Sequence, residues 1–396
     1  MFKKTVLVIF LVFLFFAVIS SVAAADYYVG NSTKHSDITN WMKNDAKNGD
    51  NLVFTGSKYD LTDTIVVSKS INIKSENKTQ INFKKENNMF NVIVSGVNFD
   101  GLSLNHNANG KESSLMVIYA SGPFKKINIK NTDIKTNGYS VSAVNIHKWY
   151  GNITNCTIDV GNKFSGAVNS DGWTGSIINS KIIAGKGLET QGPSVIICIR
   201  GKWNGDIVNS EISSNSSCTI YSFSWSGKIT GSKIYSNADK TQKWWLYGLF
   251  LPDSKGTITN CIIKLNSKYA LGVSDEVKVS NCSLASDNKH INIYRLRPDL
   301  VIDSVKKSGT AYKVSFSNVG DTGSKPCTLV IKCGNKILKK VNVKSLEGVM
   351  EGPQKTIKLA IPAKYTNKKY TKTAIIDYYN KNKEYNKKNN RYNFKF

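Results

Sequence analysis

Histidine is scarce in this chain, and cysteine never occurs at motif spacing. The four histidines, His35, His106, His147 and His290, share no repeat position. The seven cysteines include no Cys-x-x-Cys, so neither a zinc site of that spacing nor a dithiol redox motif can be read. Acidic residues number 28 against 54 Lys and Arg, and no Asp-Asp pair or clustered acids mark a hydrolase or a calcium-dependent lyase. Between Leu52 and Ile293 no helical period appears, and after the first residues no second long apolar run follows. These gaps exclude motif-type metal, redox and helical-bundle proteins. No cofactor and no metal are expected.

What is present begins with Met1-Phe-Lys-Lys4, an apolar stretch from Thr5 to Ile19, and Ala23-Ala-Ala25 ahead of Asp26. A basic start, an apolar core and small residues before a cleavage point predict a secretory signal peptide over 1–25. The mature chain is then secreted or held at the cell surface, with no membrane span. The formal charge of +26 falls to +24 once Lys3 and Lys4 leave. Such a charge draws the protein to polyanions outside the cell, acidic wall polymers or anionic glycans, and export makes nucleic acid an unexpected partner.

The middle of the chain is organised by one phrase, Trp-x-Gly-x-Ile-x-Asn/Gly-Cys/Ser-x-Ile, starting at Trp149, Trp173, Trp203 and Trp225. Weaker copies extend it both ways, placing anchor residues at 73, 99, 129, 153, 177, 207, 229, 258 and 279. Short Ile- and Val-rich strands repeating every 21 to 30 residues, none able to bury its apolar face alone, predict a stacked β-solenoid over 52–296. The Asn or Gly two residues after each anchor must turn the chain, since these residues tolerate left-handed backbone. Asn131, Asn155, Asn179, Asn209, Asn260 and Asn281 would then form a ladder. Cys156, Cys261 and Cys282 share the next position with Ser180, Ser210, Ser232 and Thr132, so the site selects a small side chain. Cys261 and Cys282 would sit on adjacent coils within reach of a disulfide. Ahead of the coils, Ile38, Trp41, Met42 and Ala46 fall on one helical face, capped by Ser36 or Asp37 and stopped by Gly49. A helix over 36–48, within an N-terminal segment 26–51, would cover the open end of the core.

The signal sequence, helical cap and Ile-x-Asn-Ser/Cys-x-Ile coils resemble right-handed parallel β-helix proteins of the pectin-lyase-like superfamily. They are similar in particular to the secreted adhesin-like proteins of archaeal cell surfaces. That resemblance implies surface display and attachment. After Arg297-Pro-Asp299 the repeat stops, and alternating strands with Gly or Asn turns predict a small β-sandwich over 298–396. Pro298 to Leu300, Asn318 to Asp321, and Asp377, Glu384, Asn389 and Asn390 resemble the immunoglobulin-like adhesion module CARDB, with Lys387 and Lys388 replacing the acids common near its end. This quarter carries 21 basic residues against 7 acidic. The fold class is thus all-β: a β-helix solenoid with a capping helix, followed by an immunoglobulin-like sandwich.

The expected function is a non-catalytic adhesin-like surface protein that binds glycans, wall polymers or partner cells. A lyase or hydrolase of acidic polysaccharide is the alternative, and a purely structural surface protein the second. Trp149, Trp173, Trp203 and Trp225 form the candidate contact strip, with Trp244, Trp245 and Lys243 in a long loop as a second contact. Strand parity places each Trp on the face of its Ile, which points inward; a turn at the intervening Gly would point it outward. Asp171, Asp206 and Arg200, on neighbouring coils, are the best candidates for a hidden catalytic site, although solvated turns explain each more simply. Asn31, Asn77 and Asn215 head sequons free of the repeat frame and are candidate glycosylation sites.

Overall fold

A computed structural model describes residues 23–108, 115–137, 141–161, 166–185, 195–214, 218–236, 247–265, 269–286, 289–290, 293–348 and 353–395. Nearly all of the expected signal peptide, together with Trp244, Trp245, Lys243 and Asn215, lies outside the described residues.

The repeats fold into a parallel β-solenoid of about nine turns. Each coil passes through three strands that pair in parallel with their counterparts above and below, giving three faces along the rod. The first face carries the anchors: Ile73 aligns with Phe99, Phe99 with Ile129, and so through Ile153, Ile177, Ile207, Ile229 and Ile258 to Val279. The anchors from Ile73 to Ile258 have no solvent exposure, and Val279 packs half-buried against the same core. The second face is an eleven-stranded sheet whose inward residues include Leu104, Ile134, Ile158, Ile182, Ile212, Ile234 and Ile263. The third face runs from Ile65–Val67 to Ile293–Leu296, and its hydrogen bonding continues into the first face as one twenty-two-stranded sheet. Each buried Ile side chain contributes about 1.5–3 kcal/mol of apolar burial. The core therefore accumulates coil by coil and cannot exist in a single repeat.

The corner between first and second faces follows the position logic of the phrase. Asn131, Asn155, Asn179, Asn209, Asn260 and Asn281 have φ between +47° and +55°, with Gly101 at +70° and Gly231 at +59° in the same place. Except after Gly101, where the large apolar Leu102 is buried, the next residue is small and donates a hydrogen bond. Thr132, Ser180, Ser210 and Ser232 give their hydroxyl hydrogens to the carbonyl two residues back at 2.8–2.9 Å. Cys156, Cys261 and Cys282 do the same with sulfur at 3.1–3.2 Å. Each of these carbonyls also accepts a backbone N–H from the preceding coil, as Thr154 O does from Asn131 and Ile178 O from Asn155, so the X–H group adds a second bond at the turn. Cys261 and Cys282 are neighbours on adjacent coils, but both are free thiols, each with its sulfur against a backbone oxygen. Burial pushes the Cys156 and Cys261 thiols up to about 11.

Two expectations need correcting at the N-terminus. The helix is His35–Asn40 followed by a π-turn Trp41–Asp45, shorter than 36–48, and neither Ser36 nor Asp37 caps it. Lys34 takes the cap position, and Asp37, three residues in, accepts the Lys34 N–H at 3.0 Å. Ile38 and Met42 are buried in the solenoid core, as the apolar face required. The rungs also begin earlier than residue 52, because Asp26–Val29 pairs in parallel with Asn51–Phe54. Three polar or half-exposed residues in four hid that strand from a pattern search.

Residues from Leu300 onward form two antiparallel sheets around a separate core of Leu300, Tyr312, Val314, Phe316, Leu329 and Ile331. One sheet holds Leu300–Ser308, Ala311–Asn318 and Lys355–Ala360; the other holds Lys336–Val343, Cys327–Cys333, Lys372–Ile375 and Arg391–Phe394. Asp253 of the solenoid accepts the Gly323 N–H, and Asp275 pairs with Arg297 and Lys383, tying the two units together.

Candidate functional site

The tryptophans do not form a contact strip. Trp149, Trp173, Trp203 and Trp225 are 0–1% exposed and stand in register along the corner between the third and first faces. Trp149 stacks on Trp173 at 4.5 Å and Trp173 on Trp203 at 5.3 Å, with the ring planes nearly parallel. Each indole N–H donates to a carbonyl of the coil before it: Trp149 to Ile127, Trp173 to Gly151, Trp203 to Gly175 and Trp225 to Gly205, at 2.7–3.1 Å. The glycines after Trp149, Trp173 and Trp203 therefore have two jobs. Each accepts the indole bond of the next coil, and each lets the coils approach: a Cβ at Gly205 would meet Gly175 O at 1.7 Å and Trp203 Nε1 at 2.8 Å. A buried indole needs a partner for its N–H, and this repeat builds one into the phrase. The ligand-binding role expected of these four residues is thus withdrawn, because their aromatic faces are spent on each other.

Parity then sends the neighbour of Trp149 outward. Tyr150 is 43% exposed and meets Phe124, 56% exposed, on the preceding coil at 5.6 Å. Lys148 Nζ lies 5.1 Å from the Phe124 ring. Phe124 has φ +40°, a conformation that bulky L-residues rarely adopt and that is often held at functional positions. The pair stands at the lip of a shallow groove across several coils, floored by Asn128, Asn152, Thr174, Ser176 and Asn204 with Lys126 beside them.

That floor belongs to a second polar ladder, on the outside of the first face. Asn72 Nδ2 donates to Asn51 Oδ1, Asn98 to Asn72 and Asn128 to Asn98, each at 2.8 Å. The same column then changes partners, with Asn128 Oδ1 accepting Asn152 N–H, Asn152 Oδ1 accepting Ser176 N–H, and Ser176 Oγ accepting Asp206 N–H. The expected ladder at the corner is continuous at its start, where Asn131 donates to Asp100 and Asn155 to Asn131.

One further cluster lies on the outer side of the third face, beside the groove. His147 Nδ1 is 2.7 Å from Asp171 Oδ2 on the next coil, and Arg200 occupies the following coil at the same position. Arg200 and Gly201 together face the single residue Phe223, a bulge of the kind that re-aims side chains. Of the three candidates from sequence, Asp171 meets His147, and Arg200 shares only their register position on the following coil. Asp206 stands apart; it accepts the Lys228 N–H at 2.7 Å within the polar column. His106 is buried against Phe83, with its pKa lowered by burial, and is structural. Asn31 and Asn77 lie exposed in turns. Among the described residues no group of three His, Cys, Asp or Glu could hold a metal, and no helix is long and apolar enough to cross a membrane.

The class defined by this architecture is a parallel β-helix protein with an appended antiparallel unit. Residues 194–319 match the family described as right handed beta helix region. Among solved structures the chain is similar to the pectin methylesterase from Aspergillus niger, at 11% identity over 68% of this chain and 87% of that one, with a TM-score of 0.38. No curated protein matches.

Proposed function

We propose that this chain is a surface polysaccharide-binding protein, adhesin-like, whose solenoid holds an extended glycan in the groove at Phe124 and Tyr150. The observation that carries this reading is the exposed aromatic pair, one ring in strained backbone, beside a floor of amides and hydroxyls. Aromatic faces stack on sugar rings while amides and hydroxyls pair with sugar hydroxyls. Coils repeat about every 4.8 Å, so polar groups recur along the rod at nearly the length of one pyranose unit. In this reading residues 1–25 direct export, and the unit from 298 is an immunoglobulin-like attachment module of CARDB type. The substitution Phe124→Ala with Tyr150→Ala should weaken binding to a panel of extended polysaccharides by about 10- to 100-fold, at about 1.4 kcal/mol per tenfold. Thermal stability should hardly move, because both rings are exposed. Unchanged affinity in calorimetry would remove the groove from consideration.

The His147–Asp171 contact favours a second reading, an enzyme acting on acidic polysaccharide. Asp171 would hold the imidazole in place for Nε2 to exchange a proton, and Arg200 would face a substrate carboxylate. Incubation with acidic polysaccharides distinguishes the readings: new reducing ends or unsaturated products that vanish in His147→Ala support the enzyme, and no products from the wild type exclude it.

A further inference from the structure

The three-stranded sheet of the C-terminal unit carries a row of like charges in register. Lys306 lies directly opposite Lys313, and Lys313 directly opposite Lys358. All three are exposed, and among the described residues none has a carboxylate within ion-pair distance. Strands lie about 4.8 Å apart, so three ammonium groups spring from positions spanning about 10 Å. Like charges directly opposite across a sheet destabilise it. The row is not forced by the fold, because Val305, Tyr312, Val314 and Leu359 on the inner side build the core and leave the outer positions free.

The next outward row, two residues along each strand, is Ser304, Ser315 and Thr356, again in register, with Ser315 and Thr356 hydroxyls 2.9 Å apart. A carboxylate, Asp303, appears only beyond that second row, where it accepts the Ser317 hydroxyl at 2.9 Å. The outer face is therefore a cationic stripe alongside a hydroxyl stripe.

We infer that this face is a second binding site, separate from the groove on the solenoid, for an anionic glycan whose carboxylate or sulfate groups lie along the lysine row and whose hydroxyls pair with Ser304, Ser315 and Thr356. The negative charges of such a ligand would offset the repulsion among the lysines. The hydroxyl row favours a sugar polymer over a nucleic acid, which would bring phosphates but few free hydroxyls at that spacing.

The test uses the full chain, with heparin and polygalacturonate as sulfated and carboxylated probes and single-stranded DNA as the competing polyanion. Lys306→Ser, Lys313→Ser and Lys358→Ser together should weaken binding to at least one glycan tenfold or more, and should reduce the slope of log affinity against log salt by about 2 to 3. A control with the same loss of charge on the solenoid, Lys233→Ser, Lys264→Ser and Lys278→Ser, should lose less than threefold. Equal losses in both variants would show that only net charge matters and overturn the site. Tighter binding of DNA than of either glycan would overturn the ligand class. The preferred probe tells sulfate from carboxylate. Folding of the triple variant is checked by its melting temperature, which should hold or rise as the repulsion is relieved.

Discussion

Replacing Trp173 with alanine should lower the unfolding free energy by about 3–5 kcal/mol, the range for removing a buried aromatic side chain. Trp173 is 1% exposed, has an indole stacked on each side at 4.5 and 5.3 Å, and gives its N–H to Gly151 O at 2.9 Å. Alanine empties the centre of the stack and strands that carbonyl. Trp173→Phe separates the two contributions. It keeps an aromatic ring between Trp149 and Trp203 but removes the donor, so it should cost only about 1–3 kcal/mol. Denaturant titration of the three proteins provides the measurement. A loss below about 1 kcal/mol for Trp173→Ala would mean that the ladder is not part of the core. Polysaccharide affinity of the folded variant should stay near wild type, since the proposed contact is made by Tyr150 and Phe124, which face the other way.

The repeat phrase made the solenoid legible because every position in it answers to one physical demand. Inward Ile, left-handed Asn and small donor each recur often enough to be seen in a single sequence. The small side chain at the last of these also bonds the carbonyl two residues back, which suits the Ser, Thr and Cys found there, with the buried Leu102 as the exception. Trp was the undecided position, and the Gly two residues on settles it. A glycine needed to accept an indole N–H from the next coil, at a close approach that a Cβ would block, belongs to an inward Trp.

The candidate site was hidden for a different reason. Tyr150 was legible by parity once Trp149 was known to face inward, but Phe124 lies outside the phrase and reaches Tyr150 only through coil stacking. His147 meets Asp171 because each stands two residues before a ladder Trp, Trp149 and Trp173, but the two share no residue type that would mark the position as a site. Contacts between coils depend on how many residues each loop absorbs, and the steps between anchors vary from 21 to 30. The outer Asn column stands one residue before the anchors, at Asn72, Asn98 and Asn128, but gives way to Ser176 and Asp206 further along, so the phrase does not carry it as a fixed residue.

In the C-terminal unit, Glu384→Ala should cost about 2–4 kcal/mol at acid pH, and the penalty should shrink as pH rises. Glu384 is 7% exposed, and its oxygens accept the Leu300 N–H at 2.7 Å and the Asn390 amide at 2.8 Å. Asn389 bonds Asp299, and Asn318 accepts the Asp299 N–H, so the start and end of the unit are held by one buried polar network. Removing the carboxyl strands two buried donors, at about 1–3 kcal/mol each. The pH dependence follows from the ionisation. Burial raises the pKa of Glu384, the Asn390 and Leu300 donors pull it back, and the neighbouring Asp377 carboxylate raises it again. A carboxyl whose folded pKa lies above its unfolded value, about 4.3, contributes fully below that unfolded value and loses its contribution as pH climbs through the raised one. Wild type should therefore lose stability relative to Glu384→Ala across that window. Unfolding free energies of both full-length proteins, compared at a series of pH values from acid to neutral, test this directly. A penalty that grew with pH would mean that the two donors hold Glu384 ionised despite its burial.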